Sequence, residues 1–568
     1  MKAILSFIIE NWERSGQGDG GRIDEDDEDE EDSSVEGVAT ARNNVMIKTR
    51  SKEDKKRKVE SMPKRTKDST DESTQEPNSE DENYKGDANK VTSRTDIEGG
   101  ESDEVAAAQK QAHYTIFCLL FMLGFMIHCR KYPDENYSLV AMVHIVSFIS
   151  VPRATTTIYQ DATFLSFCCF CLFTMLQDSP YNANHHNMCG FLSMLLIPHQ
   201  IRRVVGWGDK QQSTDNGMNV VRWAIILMYF FAAFHKINHD FLFEPKVSCA
   251  YHMLRLYLDF IDEDMFDEEE WLIPEKLPWF LEPLPFLGLF VEIVPPIAMC
   301  FQSTQKWGVF LLILLHLLLL PVGFADFGSI AQSFLWLFVM PQATKALPMT
   351  FYTDMAGCFV FLHLIVKLLN HMDEKGEHHM QNEEVAMVLL GYGVHWAGIL
   401  RIGGLREGVK MRRPKSVFSL LALAFFVFFA MNTYLGLRTT GTLTMFSNLR
   451  TEGKYSNHLL LRNNPLKVFG YQDDVVTVLD RDERIGEDRL LKDFSYAKVN
   501  FRREMLKEKS WDEDNIYLKV SYQGEIYETH DLNNDPIFDI FRQEEPFWSR
   551  KYLHFRDIQP YRQQDCEW

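Results

Sequence analysis

Two short polar clusters in an otherwise apolar stretch carry the residue types needed for acid–base chemistry. The first, DSPYNANHHN at 178–187, holds Asn184, His185 and His186. The second closes an apolar run, FFAAFHKINHDF, and holds His235, Lys236, Asn238, His239 and Asp240. A lysine at the centre of a membrane helix costs about 2.5–3.5 kcal/mol on insertion scales, and less near an end. Lys236 therefore reads in one of two ways. It is either a snorkelling side chain whose ammonium reaches the headgroups, or a desolvated amine able to act as a neutral base near pH 7. His316 lies within GVFLLILLHLLLLPVGF, with no other ionisable group in the run. Its plainer reading is a structural imidazole bonded to a carbonyl. Glu292, embedded in LFVEIVPPIAM, needs a partner or a proton. The CCFC run at 168–171 has no second ligand pair nearby and reads as core, so no metal is expected. His185–His186 and His378–His379 do not form the spaced boxes of a di-iron desaturase, and there is neither a Walker loop nor a Rossmann glycine fingerprint.

Helices must position these groups. The chain has 568 residues, 46% hydrophobic and 24% charged, with 42 phenylalanines, and its apolar residues crowd between 113 and 437. Spanning a bilayer takes roughly 20 mostly apolar residues. Candidate spans are 113–129, 137–152, 162–177, 188–200, 219–242, 283–301, 307–322, 328–342, 351–370, 384–400 and 416–437. Several are short enough to tilt or re-enter, so about eight to eleven membrane segments are expected. The fold class is an all-α polytopic transmembrane bundle with a small C-terminal β-rich domain and a disordered N-terminal tail. The boundaries are 1–110 for the tail, 111–440 for the bundle and 441–568 for the β-rich domain.

The flanks follow from composition. Residues 15–108 have almost no aromatics and no apolar periodicity, with acidic runs at 24–32 and 69–82 and a basic one at 48–65. Such a segment buries too little apolar surface to offset ordering its backbone. The KKRK at 55–58 reads as part of this solvated polyampholyte, and the apolar run 1–9 lacks a small-residue cleavage site. Beyond 437, VVTVL (475–479), IYLKVSY (516–522) and EIYET (525–529) alternate with period two, which predicts strands with one or two helices. Cys566 is the single cysteine there, so no disulfide forms within that region, and a pairing back to a loop cysteine such as Cys249 is left open. A net charge of −21 argues against nucleic acid as a partner. Membrane lipid is the partner the composition implies.

Lysine and arginine in short loops mark the cytoplasmic side. The main clusters are Arg202, Arg203 and Lys210, and then Arg401, Arg406, Lys410, Arg412, Arg413 and Lys415. With roughly eleven crossings and the N-terminus inside, both fall inside, while Arg130 and Lys131 fall outside. The loop 178–187 and the end of 219–242 then emerge together on the lumenal face, and the C-terminal region is delivered to that side.

Four strings carry a resemblance: YFFAAFHKINHDFL, NANHHNMCGF, HLLLLPVGFADFG and MFSNLRTEGKYSNHLLL. Together they resemble the HTTM family of membrane proteins, the group that includes the vitamin K-dependent γ-glutamyl carboxylases, over roughly 113–465. The resemblance implies that Lys236 takes the position of the catalytic lysine, that Asn184 and His185 match the family's Asn-His pair, and that His316 matches its embedded histidine. It implies vitamin K hydroquinone, or another quinol, as cofactor. Lys236 would deprotonate the hydroquinone, reaction with O2 would give a strong base, and a glutamate γ-carbon would take up CO2. It further implies an endoplasmic reticulum membrane protein acting on a protein or peptide substrate on the lumenal side. Three features depart from the pattern. His235 stands where the animal enzyme has lysine, Asn238 stands where an acid is found, and the lumenal region is short. A non-catalytic membrane scaffold or a lipid- or quinone-binding protein is the alternative.

Overall fold

The computed structural model describes residues 92–568, apart from 130–134, 151–156, 262–278, 280, 321–323, 373–380, 415, 454, 464–465, 486–489, 509–515, 560–565 and 567–568. The apolar run 1–9 and most of the expected tail lie outside the described residues. Helix α1 (Thr92–Cys129) begins inside the stretch expected to lack structure, so residues 92–108 are helical. The reason is local. Glu104, Ala106, Ala107, Ala108, Gln109, Lys110 and Gln111 are good helix formers that extend an apolar helix already nucleated beyond Tyr114.

Among the described residues, four helices are long and apolar enough to cross a membrane: Glu104–Cys129, Ile158–Asp178, Lys210–His235 and Val417–Leu435. Shorter apolar helices cover Asn136–Ser150, Leu284–Met299, Gln305–Leu319 and Met349–Ile365. The elements, in order, are α2 (Glu135–Ser150), α3 (Thr157–Asp178), α4 (Asn184–Val205), α5 (Lys210–His235), α6 (His239–Phe243) and α7 (Cys249–Ile261). Then come α8 (Leu284–Met299), α9 (Gln305–Leu319), α10 (Ala325–Leu335), α11 (Met349–Met372), α12 (Gln381–Arg401) and α13 (Val417–Leu435). The apolar stretch 328–342 is not one helix. It breaks after Leu335 into short 3-10 turns at Trp336–Phe338 and Pro341–Lys345. Trp336 turns inward there, donating its indole N–H to the His113 carbonyl at 2.9 Å, while the His113 ring meets the Trp336 carbonyl at 3.1 Å.

Helix α1 is the axis of the bundle. Phe117, Phe121 and Phe125 recur every fourth residue, which stacks them on one face. Phe121 and Phe125 each meet Phe167 of α3 edge-on at 5.5 Å, and Phe121 meets Phe334 of α10 at 5.2 Å. Cys168 and Cys171 are buried in the same core, as the reading of CCFC expects, while Cys169 is exposed. On α13, Phe418, Leu421, Phe425 and Phe428 remain exposed, a face that an apolar medium covers without the cost of hydrating it.

Arg203 is not a loop charge. It is buried at the end of α4, 2.8 Å from Asp161 of α3, hydrogen-bonded to Gln111 of α1 at 3.2 Å and lying over the Tyr114 ring. A buried guanidinium needs such partners, and with Thr214 of α5 also accepting from it, Arg203 ties α4 to α1, α3 and α5.

After α13, Gly436 takes a left-handed conformation (φ 82°) that closes the helix. Four antiparallel strands follow, β1 (Val475–Arg481), β2 (Ser495–Ala497), β3 (Leu518–Tyr522) and β4 (Glu525–Thr529), in the order β2-β1-β3-β4. Val476, Val478, Leu518 and Val520 alternate onto one face with Phe501 of α14 (Lys498–Glu508) and with Phe538 and Phe541. Short helices α15 (Asp539–Arg542) and α16 (Phe547–Tyr552) complete the region. The sheet thus forms where the period-two pattern places it.

Cys249, the first residue of α7, is bonded to Cys566 near the C-terminus. The pairing left open by the sequence is therefore made. Non-reducing digestion should release one cross-linked peptide containing both cysteines, absent after reduction, and Cys249→Ser should lower stability by about 2–5 kcal/mol.

Candidate functional site

The site is built where α5 ends. Lys236 follows the last helical residue, and its N–H still bonds to the Ala233 carbonyl at 3.1 Å. Asn238 then caps α6, accepting from the Phe241 N–H at 2.9 Å and donating to the His235 carbonyl at 2.9 Å and to the Ser447 carbonyl. The neutral amide standing where the resemblance expects an acid is thus used in full by the backbone.

The string after α13 clasps this helix end. The Lys236 Nζ donates to the Met445 carbonyl at 3.0 Å. Asn448 accepts from the Cys249 N–H at 2.8 Å, and Asn457 donates to Asp240 at 2.8 Å. His458 completes the clasp in one tautomer: its Nδ1 accepts from the Leu460 and Leu461 N–H groups at 3.2 Å, while its Nε2 donates to the Phe234 carbonyl at 3.1 Å. Burial lowers the His458 pKa from its ordinary value, which favours that neutral form at pH 7. Two of the strings that carry the resemblance are therefore one structural unit.

Lys236 points inward. Its side chain is 4% exposed and lies 2.8 Å from a carboxylate oxygen of Glu292 on α8, itself 20% exposed. The snorkelling reading is thereby replaced, because the ammonium ends on a carboxylate and a carbonyl rather than among headgroups. The pair closes one end of a cavity of about 220 Å³ whose other walls are apolar, including Phe241, Met253, Leu254, Leu315, Leu319 and Phe446. For scale, an engineered apolar cavity of about 150 Å³ accepts benzene.

Asn184 and His185 line a second cavity, of about 260 Å³, together with Phe324, Asp326, Phe327, Met445 and Phe446. Phe446 borders both cavities, and Met445 lends its carbonyl to Lys236 and borders the second. The Asn184 side-chain oxygen is buried with no hydrogen-bond partner among the described residues. His316 borders neither cavity. Its Nε2 meets the Tyr229 hydroxyl at 2.5 Å, not a carbonyl, and its ring lies 5.1 Å from Phe327. The four residues that the resemblance assigns to the site are thus distributed: Asn184 and His185 together, Lys236 in the adjoining cavity, and His316 behind Phe327.

Behind the second cavity lies a cluster the sequence reading does not contain. Asp326, at the start of α10, places a carboxylate oxygen 3.2 Å from His185 Nε2 and 3.8 Å from His128 Nδ1 of α1. His128 Nε2 is 3.1 Å from His186 Nδ1, and His186 Nε2 is 4.0 Å from Asp178, which accepts from Tyr137 at 2.8 Å. His128 and Asp326 are ionisable residues inside or beside apolar runs, FMIHC and VGFADFG. The rule that singled out His316 and Glu292 would have found them as well.

No family model, curated protein or solved structure matches this chain.

Proposed function

We propose that the chain is a multi-pass membrane enzyme of the vitamin K-dependent γ-carboxylase-like (HTTM) type. It would couple oxidation of a hydroquinone to carboxylation of glutamate in a lumenal protein or peptide. The observation that carries this reading is the buried Lys236–Glu292 pair at the end of an otherwise apolar cavity. A quinol has the matching shape, with hydroxyls on a flat ring and an apolar tail. The ring and first tail carbons suit the walls formed by Leu254, Leu315, Leu319 and Phe446, and a hydroxyl would reach the lysine.

When bound and oxidised by O2, a reduced quinone supplies the strong base that opens a glutamate γ-carbon to CO2. The chain's own residues bind, orient and move the first proton. A phenolic hydroxyl has a pKa of about 10, in the range an amine can deprotonate once it is itself neutral. Glu292, in contact with Nζ, holds the amine at the end of the cavity. A quinol seated against the apolar walls would displace water, which strengthens the charge interactions beside it. Asn184 and His185 in the adjoining cavity offer polar groups to an anionic partner on the other side of Phe446. His316, reaching Tyr229 of α5, braces the helix that ends in Lys236.

The disulfide supports the orientation. Disulfides persist in oxidising compartments, and Cys249–Cys566 ties the start of α7 to the end of the region that follows α13. Both then lie on the lumenal side of an endoplasmic reticulum membrane, with the helical bundle crossing it. Protease added to sealed microsomes should spare the region after 437 and remove the residues before 92. Loss of the C-terminal region instead would reverse this topology. The activity test is incorporation of labelled bicarbonate into glutamate peptides by membranes given reduced vitamin K. Absence of any hydroquinone-dependent incorporation would leave a non-catalytic quinone- or lipid-binding protein.

A further inference from the structure

We propose that His128, His185 and Asp326 bind a first-row transition-metal dication, with its open coordination positions facing the cavity lined by Asn184. One ligand atom from each residue lies within 4.8 Å of the others. An ion with bonds of about 2.0–2.2 Å to nitrogen and oxygen needs its donors roughly 3.0–3.5 Å apart. The Asp326–His185 edge, at 3.2 Å, already has that length, the Asp326–His128 edge, at 3.8 Å, must shorten by a few tenths of an ångström, and the His128–His185 edge, within 4.8 Å, closes by rotation of the two rings toward the ion. Two imidazoles and one carboxylate form a donor set typical of zinc and iron rather than of calcium or magnesium, which prefer all-oxygen shells.

The surroundings fit ligation independently of the donor count. The three residues stand at the ends of three helices, α1, α4 and α10, and those of α1 and α10 pack against each other. A histidine that binds metal through one nitrogen donates its other N–H to an outer partner, which fixes the ring. His128 has such a partner: with Nδ1 turned to the ion, Nε2 carries the proton and donates to His186 Nδ1 at 3.1 Å. His186 then carries its own proton on Nε2, facing Asp178 at 4.0 Å. One consistent set of tautomers runs from the ion to Asp178. The side chain of His185 is 20% exposed and that of Asp326 7%, and both border the cavity of about 260 Å³, which leaves room for water or a substrate oxygen on the ion.

The inference does not rest on the quinol reading, because it is tested on resting protein without any turnover. The full chain, carrying an affinity tag without histidines, is purified in detergent, stripped with chelator and dialysed against Zn2+ or Co2+. Elemental analysis should then find one ion per chain retained through gel filtration. Co2+ should give the intense visible bands of four- or five-coordinate nitrogen–oxygen ligation. Asp326→Ala and His128→Ala should each weaken binding beyond the 10–100-fold that outer-partner changes cost, and His186→Ala should fall within that range. His144→Ala, on the exposed side of α2, should leave binding unchanged. A Co2+ spectrum of the native chain showing only the weak octahedral aquo bands would overturn the proposal, whether or not the variants fold. So would retention of the ion by the His128→Ala/Asp326→Ala double variant with its Cys249–Cys566 bond intact.

Discussion

With Lys236→Ala, hydroquinone-driven incorporation of labelled bicarbonate into glutamate peptides should fall by at least about 100-fold, the lower end of what a positioned general base contributes. The substitution removes the one amine that lines the apolar cavity among the described residues and leaves its walls in place. Insertion into the membrane should be unimpaired, because an apolar residue near a helix end is cheaper to insert than a charged one. Lys236→Arg is the sharper variant. A guanidinium keeps a cation for Glu292 and a donor for the Met445 carbonyl, so the ion pair and the clasp are served. It does not give up its proton at any ordinary pH and cannot act as a base. Both variants should therefore be inactive, with Lys236→Arg folded like the parent. Small exogenous amines should partly restore Lys236→Ala by occupying the vacated volume. Full activity in Lys236→Arg would reduce the lysine to a fixed charge and move the search for the base to His185 or His235.

Much of the fold is legible because hydropathy and period are local properties. The apolar stretches fall on helices, and VVTVL, IYLKVSY and EIYET fall on β1, β3 and β4. The failures have a common form. The stretch 328–342 is apolar throughout, yet it turns at Trp336 because that ring finds its partner on His113, more than two hundred residues earlier. Arg203 looks like a loop charge until Asp161 and Gln111 are seen around it. At the site, the sequence marks Lys236 and Glu292 as ionisable groups in apolar surroundings but cannot pair them, since nothing in their spacing says that α5 and α8 pack side by side. Asn184 and His185 are adjacent in the chain and stay together. Their separation from Lys236 by Phe446 is set by the string after α13, which no local pattern directs to that position.

Glu292→Ala should be the most destabilising single change at the site, and the reason separates stability from catalysis. The Nζ of Lys236 has a carboxylate at 2.8 Å and a carbonyl at 3.0 Å, and lies 6.0 Å from the centre of the Phe241 ring. Removing the carboxylate leaves a buried ammonium with one neutral acceptor. Breaking a buried pair in this way costs about 3–5 kcal/mol, and the residual exposure of Glu292 puts the effect toward the lower figure. The measurement is thermal unfolding of the detergent-solubilised chain at fixed pH. Removing both charges should be far milder, because a pair replaced by apolar groups of similar volume gives up its desolvation cost along with its attraction. The double variant Lys236→Met/Glu292→Leu should therefore recover most of the lost stability while remaining without activity. If Glu292→Ala and the double variant were equally unstable, the loss would come from packing of α8 against α5, and the carboxylate would not be what holds the lysine in the cavity. If Glu292→Ala instead kept its stability and its turnover, water would already be reaching Nζ, and the dry cavity on which the proposed base depends would not exist.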